Sequence, residues 1–385
     1  MEFRVFDQQA LEASRDIGEQ AFGVRPDAEW ERSLRAARPA LAAGRRFGGY
    51  DGDRLVATAT LHDMEQWWHG RPVSMGGVAG VTVAPEERGR GFGRALMTEV
   101  LRRCAAFGHP ISALYPATTP LYRSLGWEHA GAQHIVTLPT EALRTLAAER
   151  VTVRRAGPAD AEEVVATLRR VHREARDDGP LDRRADWWRV RLEDTRLYAY
   201  LAEDGFLAYG WAEGNSVLRV DRVVAGSERT LRALWAVVGS GSSTAQTVHA
   251  CVGPDDPVLW LLRERSTDHV RRERWMLRVV DAPAAIAARG YPAAVTAEIA
   301  LRVDDPVLPA NSGTWRLTVK DGEGRLDPAS DDPAAVRAGI GGLSALYAGV
   351  PLSGLRRAGL VECGDADADV LSAVFAATPF TLDYF

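Results

Sequence analysis

The stretch Val78-Ala-Gly-Val-Thr-Val-Ala-Pro-Glu-Glu-Arg-Gly-Arg-Gly-Phe-Gly-Arg-Ala-Leu-Met97 decides the reading of this chain. Val78 to Val83 is apolar and rich in β-branched residues, the pattern of a buried strand. Pro-Glu-Glu turns the chain, Arg88-Gly-Arg-Gly-Phe-Gly93 forms a glycine-rich loop, and Leu96, Met97, Val100, Leu101, Cys104 and Phe107 recur at helical spacing until Gly108. A glycine loop between strand and helix is built to hold an anion. Glycine lets the backbone approach closely, the first helical amides converge on one spot, and the helix dipole adds partial positive charge. Arg88, Arg90 and Arg94 add full cations, so the implied guest is a pyrophosphate.

Two common pyrophosphate motifs do not fit. Gly89, Gly91 and Gly93 are spaced by two, unlike the dinucleotide fingerprint, and no Lys-Ser/Thr follows as in a nucleoside-triphosphate loop. The pattern present, Val81-x-Val83 and then Arg88-x-x-Gly91-x-Gly93, resembles the acetyl-CoA loop of the GNAT acetyltransferases. A merely flexible surface loop would not need strand, turn, loop and helix in this order.

The chain of 385 residues is long enough for two or three domains. With 46% hydrophobic and 26% charged residues the composition is that of a globular protein. A net charge of −5 gives no argument for nucleic acid or an anionic membrane. No apolar run is long enough to span a bilayer, and the start lacks a signal-peptide core. Cys104, Cys251 and Cys363 lie too far apart for a disulfide framework or a metal knuckle. A cytoplasmic protein without a metal, with neither nucleic-acid nor membrane partners, is expected.

Residues 1–150 read as one α/β unit. A helix containing Trp30, Leu34 and Leu41 opens at Pro26 and Asp27; strands follow at Arg46–Tyr50 and Leu55–Leu61, then Val78–Val83 and Ile111–Tyr115. Pro120–Trp127 is a short helix stopped by Gly126. Residues 151–285 begin again: Val151–Val164 gives a strand, a turn and a capped helix, and Arg219–Trp235 echoes the strand–loop–helix. Here Glu228-Arg-Thr-Leu-Arg232 replaces the glycines, the mark of a repeat that kept its fold and lost its anion. In residues 286–385, Tyr291–Val303 reads as a strand or a helix–strand pair and Thr314–Val319 as an alternating strand, and helices are expected from Asp331–Val336, over Ile340–Tyr347 and over Ala368–Phe375.

This order of parts resembles the Eis (enhanced intracellular survival) N-acetyltransferases of the GNAT superfamily, tandem GNAT folds (the second degenerate) followed by a sterol-carrier-protein-like α+β domain. Further pieces of the resemblance are Leu121-Tyr122-Arg-x-x-Gly126, Leu301-x-Val-x-Asp-Pro306 with Asn311-x-Gly-x-Trp315, and the apolar end Tyr384-Phe385. It implies an acetyl-CoA-dependent acyltransferase, a cytoplasmic homohexamer, acetylating primary amines of aminoglycosides at several positions. Alternatives are a narrow-specificity GNAT acting on a metabolite or a peptide lysine, and a non-catalytic acetyl-CoA-regulated binding protein. Implied cofactor contacts are Val81, Thr82 and Val83 through backbone to the pantetheine, Arg88, Gly89, Arg90, Gly91, Phe92, Gly93 and Arg94 to the pyrophosphate, and Ala117 and Thr118, where the family carries Ser-Glu.

Amine acetylation needs a base for the amine's proton and an acid for the departing thiolate. Tyr122 is the candidate acid, because a tyrosine stays protonated at neutral pH and this one follows the Ile111–Tyr115 strand; Tyr115 is the fallback. No carboxylate of the first unit stands out as base, and His62, His69, His109, His129 and His134 are scattered without evident partners. The family resemblance implies the C-terminal carboxylate of Phe385 as proton acceptor. Burial beside aromatic rings raises such a group's pKa from about 3.5. Phe380, Leu382 and Tyr384 alternate with Thr381, Asp383 and Phe385, suggesting an ordered terminus. The paired tryptophans Trp67-Trp68 and Trp187-Trp188 are expected mainly in the core.

Overall fold

The computed structural model describes residues 2–146, 150–263 and 269–385. One large sheet carries the strands β1 (Glu2–Val5), β2 (Arg46–Asp51), β3 (Arg54–Trp68), β4 (Arg71–Val83), β5 (Ile111–Leu114), β6 (Glu128–Pro139), β7 (Arg154–Ala156), β8 (Leu181–Asp182), β9 (Tyr198–Ala202), β10 (Gly205–Ala212), β11 (Val217–Ala225), β12 (Thr247–Val252) and β13 (Val270–Val279). Its order is β1-β2-β3-β4-β5-β13-β6-β12-β11-β10-β9-β7, with β8 pairing on β3. Two similar halves meet in the middle by exchanging strands. β13, the last strand of the second half, pairs with β5 of the first, while β6 of the first pairs with β12 of the second. The central pair β13–β6 joins them, so neither half closes its sheet without the other.

A smaller sheet, β16-β15-β14-β17-β18, is formed by β14 (Ala297–Asp304), β15 (Gly313–Lys320), β16 (Glu323–Pro328), β17 (Val336–Gly339) and β18 (Val361–Glu362). Helices Ile340–Tyr347, Leu352–Arg357 and Asp365–Val374 accompany it. The segment from Asp331 is a turn leading into β17 rather than the start of a helix. Val336 and Ala338 are taken by parallel pairing with β14, which outweighs the weak helical signal of Asp-Asp-Pro-Ala-Ala.

The third unit shares a core with the first half: Ile299, Leu317, Leu343 and Tyr347 pack in one cluster with Trp68, Met75 and Trp275. A wholly buried ion pair fastens the joint, Arg278 Nη2 donating to both carboxylate oxygens of Asp305 at 2.8 Å. Asn311 Nδ2 also donates to Asp305, at 2.8 Å, and Trp315 Nε1 donates to the Asn311 carbonyl. The Asp-Pro…Asn-x-Gly-x-Trp segment is therefore a structural lock. Trp67, Trp68 and Trp188 are buried, whereas Trp187 is partly exposed beside Arg183. Among the described residues, no helix is long and apolar enough to cross a membrane.

Candidate active site

β4 and β5 run parallel from Met75–Ile111 to Val78–Leu114 and then part, β4 continuing to Val83 without β5 beside it. A bulge in the β3–β4 pairing falls between Ala79 and Thr82, with Gly80 at φ 59°. The extra residue re-aims the remainder of the strand, so that Val81 and Val83 join Val78 against the same helix-side cluster. Thr82 Oγ1 lies 2.7 Å from Thr58 Oγ1, and Thr58 also donates to the Gly80 carbonyl, pinning the bulge. The backbone edge of Val81, Thr82 and Val83 thus faces a wedge-shaped gap.

The loop beyond it closes onto the helix Phe92–Ala106. Gly89 and Gly91 have φ of 80° and 84°, left-handed values that glycine adopts without strain, and nothing lies within 4 Å of where their Cβ atoms would be. Gly91 is the helix N-cap and offers no side chain to the first amides, so these point into open space. Gly93 packs beside Leu121, whose Cδ2 would be 3.5 Å from a Cβ, an ordinary contact. Arg88 and Arg94 are exposed, and Arg94 Nη1 donates to Ser124 Oγ at 2.7 Å. Arg90 lies over the half-buried Phe92 ring at 4.9 Å and is paired with Glu87 and Asp51. Burial works to raise the Glu87 pKa, but Arg54 and Arg90 hold it below its ordinary value. Ala117 and Thr118 are exposed just before the helix Thr119–Arg123. Open glycines, uncapped amides and flanking guanidiniums fit a pyrophosphate, and the parted strands fit the pantetheine arm attached to it.

Tyr122 belongs to the helix-side cluster with Val78, Leu114, Val81 and Val83, and its ring meets Trp127 edge-on at 6.3 Å. Burial raises its pKa, so the phenol is a proton carrier at neutral pH. No hydrogen bond engages its hydroxyl among the described residues. Tyr115 is engaged: its Oη donates to the Asp383 carbonyl at 2.8 Å, its ring stacks on Tyr384 at 4.3 Å, and Phe385 meets it edge-on at 5.5 Å. The fallback acid is thus tied to the C-terminal segment.

Phe385 comes from the other side of the sheet. Its Cδ2 is 3.3 Å from the place a Gly77 Cβ would occupy, and Gly77 precedes Val78, where β4 and β5 part. Tyr122 thus shares a cluster with Val78 and Leu114, the last pair of β4 and β5, and Phe385 meets β4 one residue earlier on its other face. The terminus is ordered, but its alternation is not the one read from the sequence: Thr381 and Asp383 are buried, while Tyr384 is 66% exposed. Asp383 accepts from Arg222 at 2.9 Å, with Arg183 at 3.7 Å. This buried cluster carried no sequence signal, because its members are far apart in the chain. His109 is not partnerless either: Arg45 Nη1 and Ser74 Oγ bond its two ring nitrogens. His62 pairs across from Gly77, and burial with nearby Arg183 and Arg46 lowers its pKa to about 4. Among the described residues, no group of three metal-ligating side chains could hold an ion.

Beside Asp383 and Tyr384 a cavity of about 950 Å³ opens between the halves, with Trp187, Glu213, Asp221 and His249 on its walls.

Comparison with known proteins gives the family. Residues 2–130 and 179–279 match acetyltransferase (GNAT) domain families, and residues 282–381 match a sterol carrier protein domain. The structure of a GCN5-related N-acetyltransferase from Kribbella flavida is 44% identical, superposes with a TM-score of 0.97, and is matched over 100% of this chain and 98% of its own. N-acetyltransferase Eis of Mycobacterium tuberculosis (strain ATCC 25177 / H37Ra) is 27% identical over 322 residues, 79% of this chain and 78% of that protein. Eis1 from Mycobacterium abscessus, at 22% identity, shares the fold over 100% of both chains with a TM-score of 0.80. The chain belongs to the GNAT family of N-acetyltransferases. Within it, the chain is Eis-like, with two GNAT domains and a sterol-carrier-type domain, and its family's acetyl donor is acetyl-CoA.

Proposed function

We propose that the chain transfers acetyl from acetyl-CoA directly to primary amines, with Tyr122 as proton donor and the Phe385 carboxylate as proton acceptor. Val81, Thr82 and Val83 hold the pantetheine through backbone, Arg88 to Arg94 the pyrophosphate, and Ala117 and Thr118 the arm near the short helix. Bound acetyl-CoA supplies the thioester carbonyl that the amine attacks. The Phe385 carboxylate takes the amine's proton from one face of the gap, and the Tyr122 hydroxyl protonates the thiolate from the other. The observation that supports this reading is that Tyr122 clusters with the last β4–β5 pair, Val78 and Leu114, while Phe385 packs on the adjacent Gly77 from the other face of β4.

Polyamine acceptors of the aminoglycoside class, acetylated at several positions, suit the cavity beside Tyr384. It is large enough for a multi-ring amine at about 950 Å³, and Glu213 on its wall has no ion-pair partner among the described residues. The same reading divides the chain near residues 150 and 285 and gives it a cytoplasmic location and homohexameric assembly. The test is thiol release from acetyl-CoA over a panel of aminoglycosides, simple alkylamines, metabolite amines and lysine peptides. Turnover on aminoglycosides at more than one amine supports the proposal. Turnover confined to one metabolite or peptide would replace this acceptor class, and no release with any amine would leave a binding protein.

A further inference from the structure

The second half repeats the geometry of the first without its chemistry. β11 runs on to Ala225 past its last pairing with β12, Val220 with Ala250, so these strands part as β4 and β5 do. Where the first half has open glycines, the second has Ser227, whose side chain accepts from the Thr230 amide at 3.4 Å, and Glu228 in the first turn of the following helix. An anion there would meet a capped helix and a carboxylate.

The gap between β11 and β12 is walled on one side by the chain's own C-terminal segment. A cavity of about 610 Å³ is lined by Val223 to Ala225 and Gly253 to Pro257, and also by Phe380 and Leu382 of the C-terminal segment. Phe380 and Leu382 share an apolar cluster with Val224 of β11 and Cys251 of β12. The Phe380 amide donates to the Asp178 carbonyl at 3.0 Å and the Thr381 amide to the Ala132 carbonyl at 3.3 Å. Cys251 Sγ lies 3.7 Å from the Thr381 carbonyl oxygen. Asp383 then meets Arg222 at 2.9 Å, with side chains 6% and 5% exposed, and Arg222 rests on the Trp188 ring at 4.8 Å.

A buried ion pair is a weak contributor to net stability, because desolvation offsets the attraction, but it is demanding about geometry. Here it is spent two residues before the terminus, by a half that has lost its anion cradle. We propose that the second GNAT half is a binding groove for the chain's own C-terminal peptide, Phe380–Phe385, which packs along the gap that corresponds to the one pantetheine enters in an active half. Arg222 and Arg183 read Asp383 and so set where the terminal carboxylate stands against the first half's cleft. These arginines, with Tyr115 as a latch on Asp383 and Tyr384, are positioning residues; none acts on the reacting atoms. The inference rests on Phe385 as proton acceptor, and it gives the degenerate half a function.

The test begins with the full-length chain. Asp383→Asn and Arg222→Gln should each lower kcat about 10²-fold, the cost of misplacing a catalytic group by about 1 Å, while the Kd for acetyl-CoA holds. The double variant should fall no further than either single one, because both remove one device. Unchanged kcat in the folded single variants, or losses that multiply in the double variant, would overturn the clamp. A chain ending at Pro379 then receives the synthetic peptide Phe-Thr-Leu-Asp-Tyr-Phe. The free acid should bind saturably and restore thiol release; the same peptide with Asn for Asp should bind at least about tenfold more weakly, the loss of a charge-assisted bond. Failure of the free acid to bind, or equal binding of both peptides, would overturn the groove. A peptide ending in a carboxamide should bind and restore nothing. If it restores turnover, the groove stands and the terminal carboxylate is not the base. Should the shortened chain fail to fold, the full-length variants decide the proposal.

Discussion

The ring of Phe385 closes on Gly77: its Cδ2 lies 3.3 Å from where a Cβ on residue 77 would stand, and Met64 Sδ lies 2.9 Å from the same point. The chain terminus reaches the edge of the gap because that strand position has no side chain. Gly77→Ala should therefore shift Met64 and Phe385 and lower turnover, by up to about 10² for a displacement near 1 Å. Acetyl-CoA affinity should hold, since the neighbouring Val78 and the helix-side cluster face the other way. Steady-state kinetics with calorimetric Kd values check this; equal kcat in the variant would remove Phe385 from the reacting centre.

The cradle is tested at Gly91. Its φ of 84° and the open space around it mean that a substitution meets backbone strain but no clash. Gly91→Asn and Gly91→Asp should share that strain, roughly 1–2 kcal/mol, eased by the tolerance of Asn and Asp for left-handed backbone. Only Gly91→Asp places a negative charge against the pyrophosphate. Acetyl-CoA binding should be lost in the Asp variant and weakened in the Asn variant, with similar melting temperatures. Matching affinities for the two would place the pyrophosphate elsewhere.

Tyr122→Phe removes a hydroxyl with no hydrogen-bond partner among the described residues, so the fold should be undisturbed. Turnover should fall by roughly 10² to 10⁴, the usual worth of a general acid, at unchanged acetyl-CoA affinity. Near-normal turnover would transfer the role to water, since the Tyr115 hydroxyl is already bonded to the Asp383 carbonyl.

Adding one glycine after Phe385 replaces the terminal carboxylate by an amide and carries the charge about 3.5 Å onward. The phenyl packing against Tyr115 and Gly77 is retained, so melting temperature and acetyl-CoA affinity should hold while turnover collapses. A folded, fully active extended protein would exclude the carboxylate as base and leave a water-relayed side chain in its place.

The pH dependence of stability is tested at His109, which is 2% exposed. Arg45 donates to Nε2, so Nδ1 carries the hydrogen and donates to Ser74 Oγ. Burial, and then the Arg45 charge, lower its pKa to about 4. The folded state therefore favours the neutral ring. Its stabilisation is complete above the unfolded value of about 6.5 and is lost as pH falls towards 4, by at most about 1.4 kcal/mol per pH unit. His109→Gln should flatten the fall in urea midpoint between pH 6.5 and pH 4.5 relative to the unsubstituted protein. Parallel curves for the two proteins would clear His109 of this role.

Local pattern made the first half largely legible. β-Branched Val78–Val83, the glycine-rich loop and the amphipathic stripe from Leu96 to Cys104 each act over a few residues, and all appear where the spacing puts them. The helix opened by Pro26 and Asp27 is likewise present, as Asp27–Ala42. β17 was not legible, because Val336–Gly339 is a strand only by pairing with β14, well upstream in the chain. The terminal alternation fails for a related reason: the buried Asp383 carboxylate is held by Arg222, and the Thr381 backbone by Ala132 and Cys251, all in distant segments.

The short-range devices are written in the order of the residues: a strand, a glycine-rich loop, a helix, and a repeat of that unit with its glycines missing. Backbone conformation and helical or strand periodicity are set within a few residues, so they can be read from the chain alone. The exchange of β6 and β13 between the halves, the lock of Asp305 on Arg278 and the arrival of Phe385 at Gly77 exist only in the folded chain. Those facts depend on packing and on buried charge pairs between residues far apart in the chain. Such contacts leave no period in the sequence, because each is a single meeting of surfaces that exists only once the chain has closed on itself.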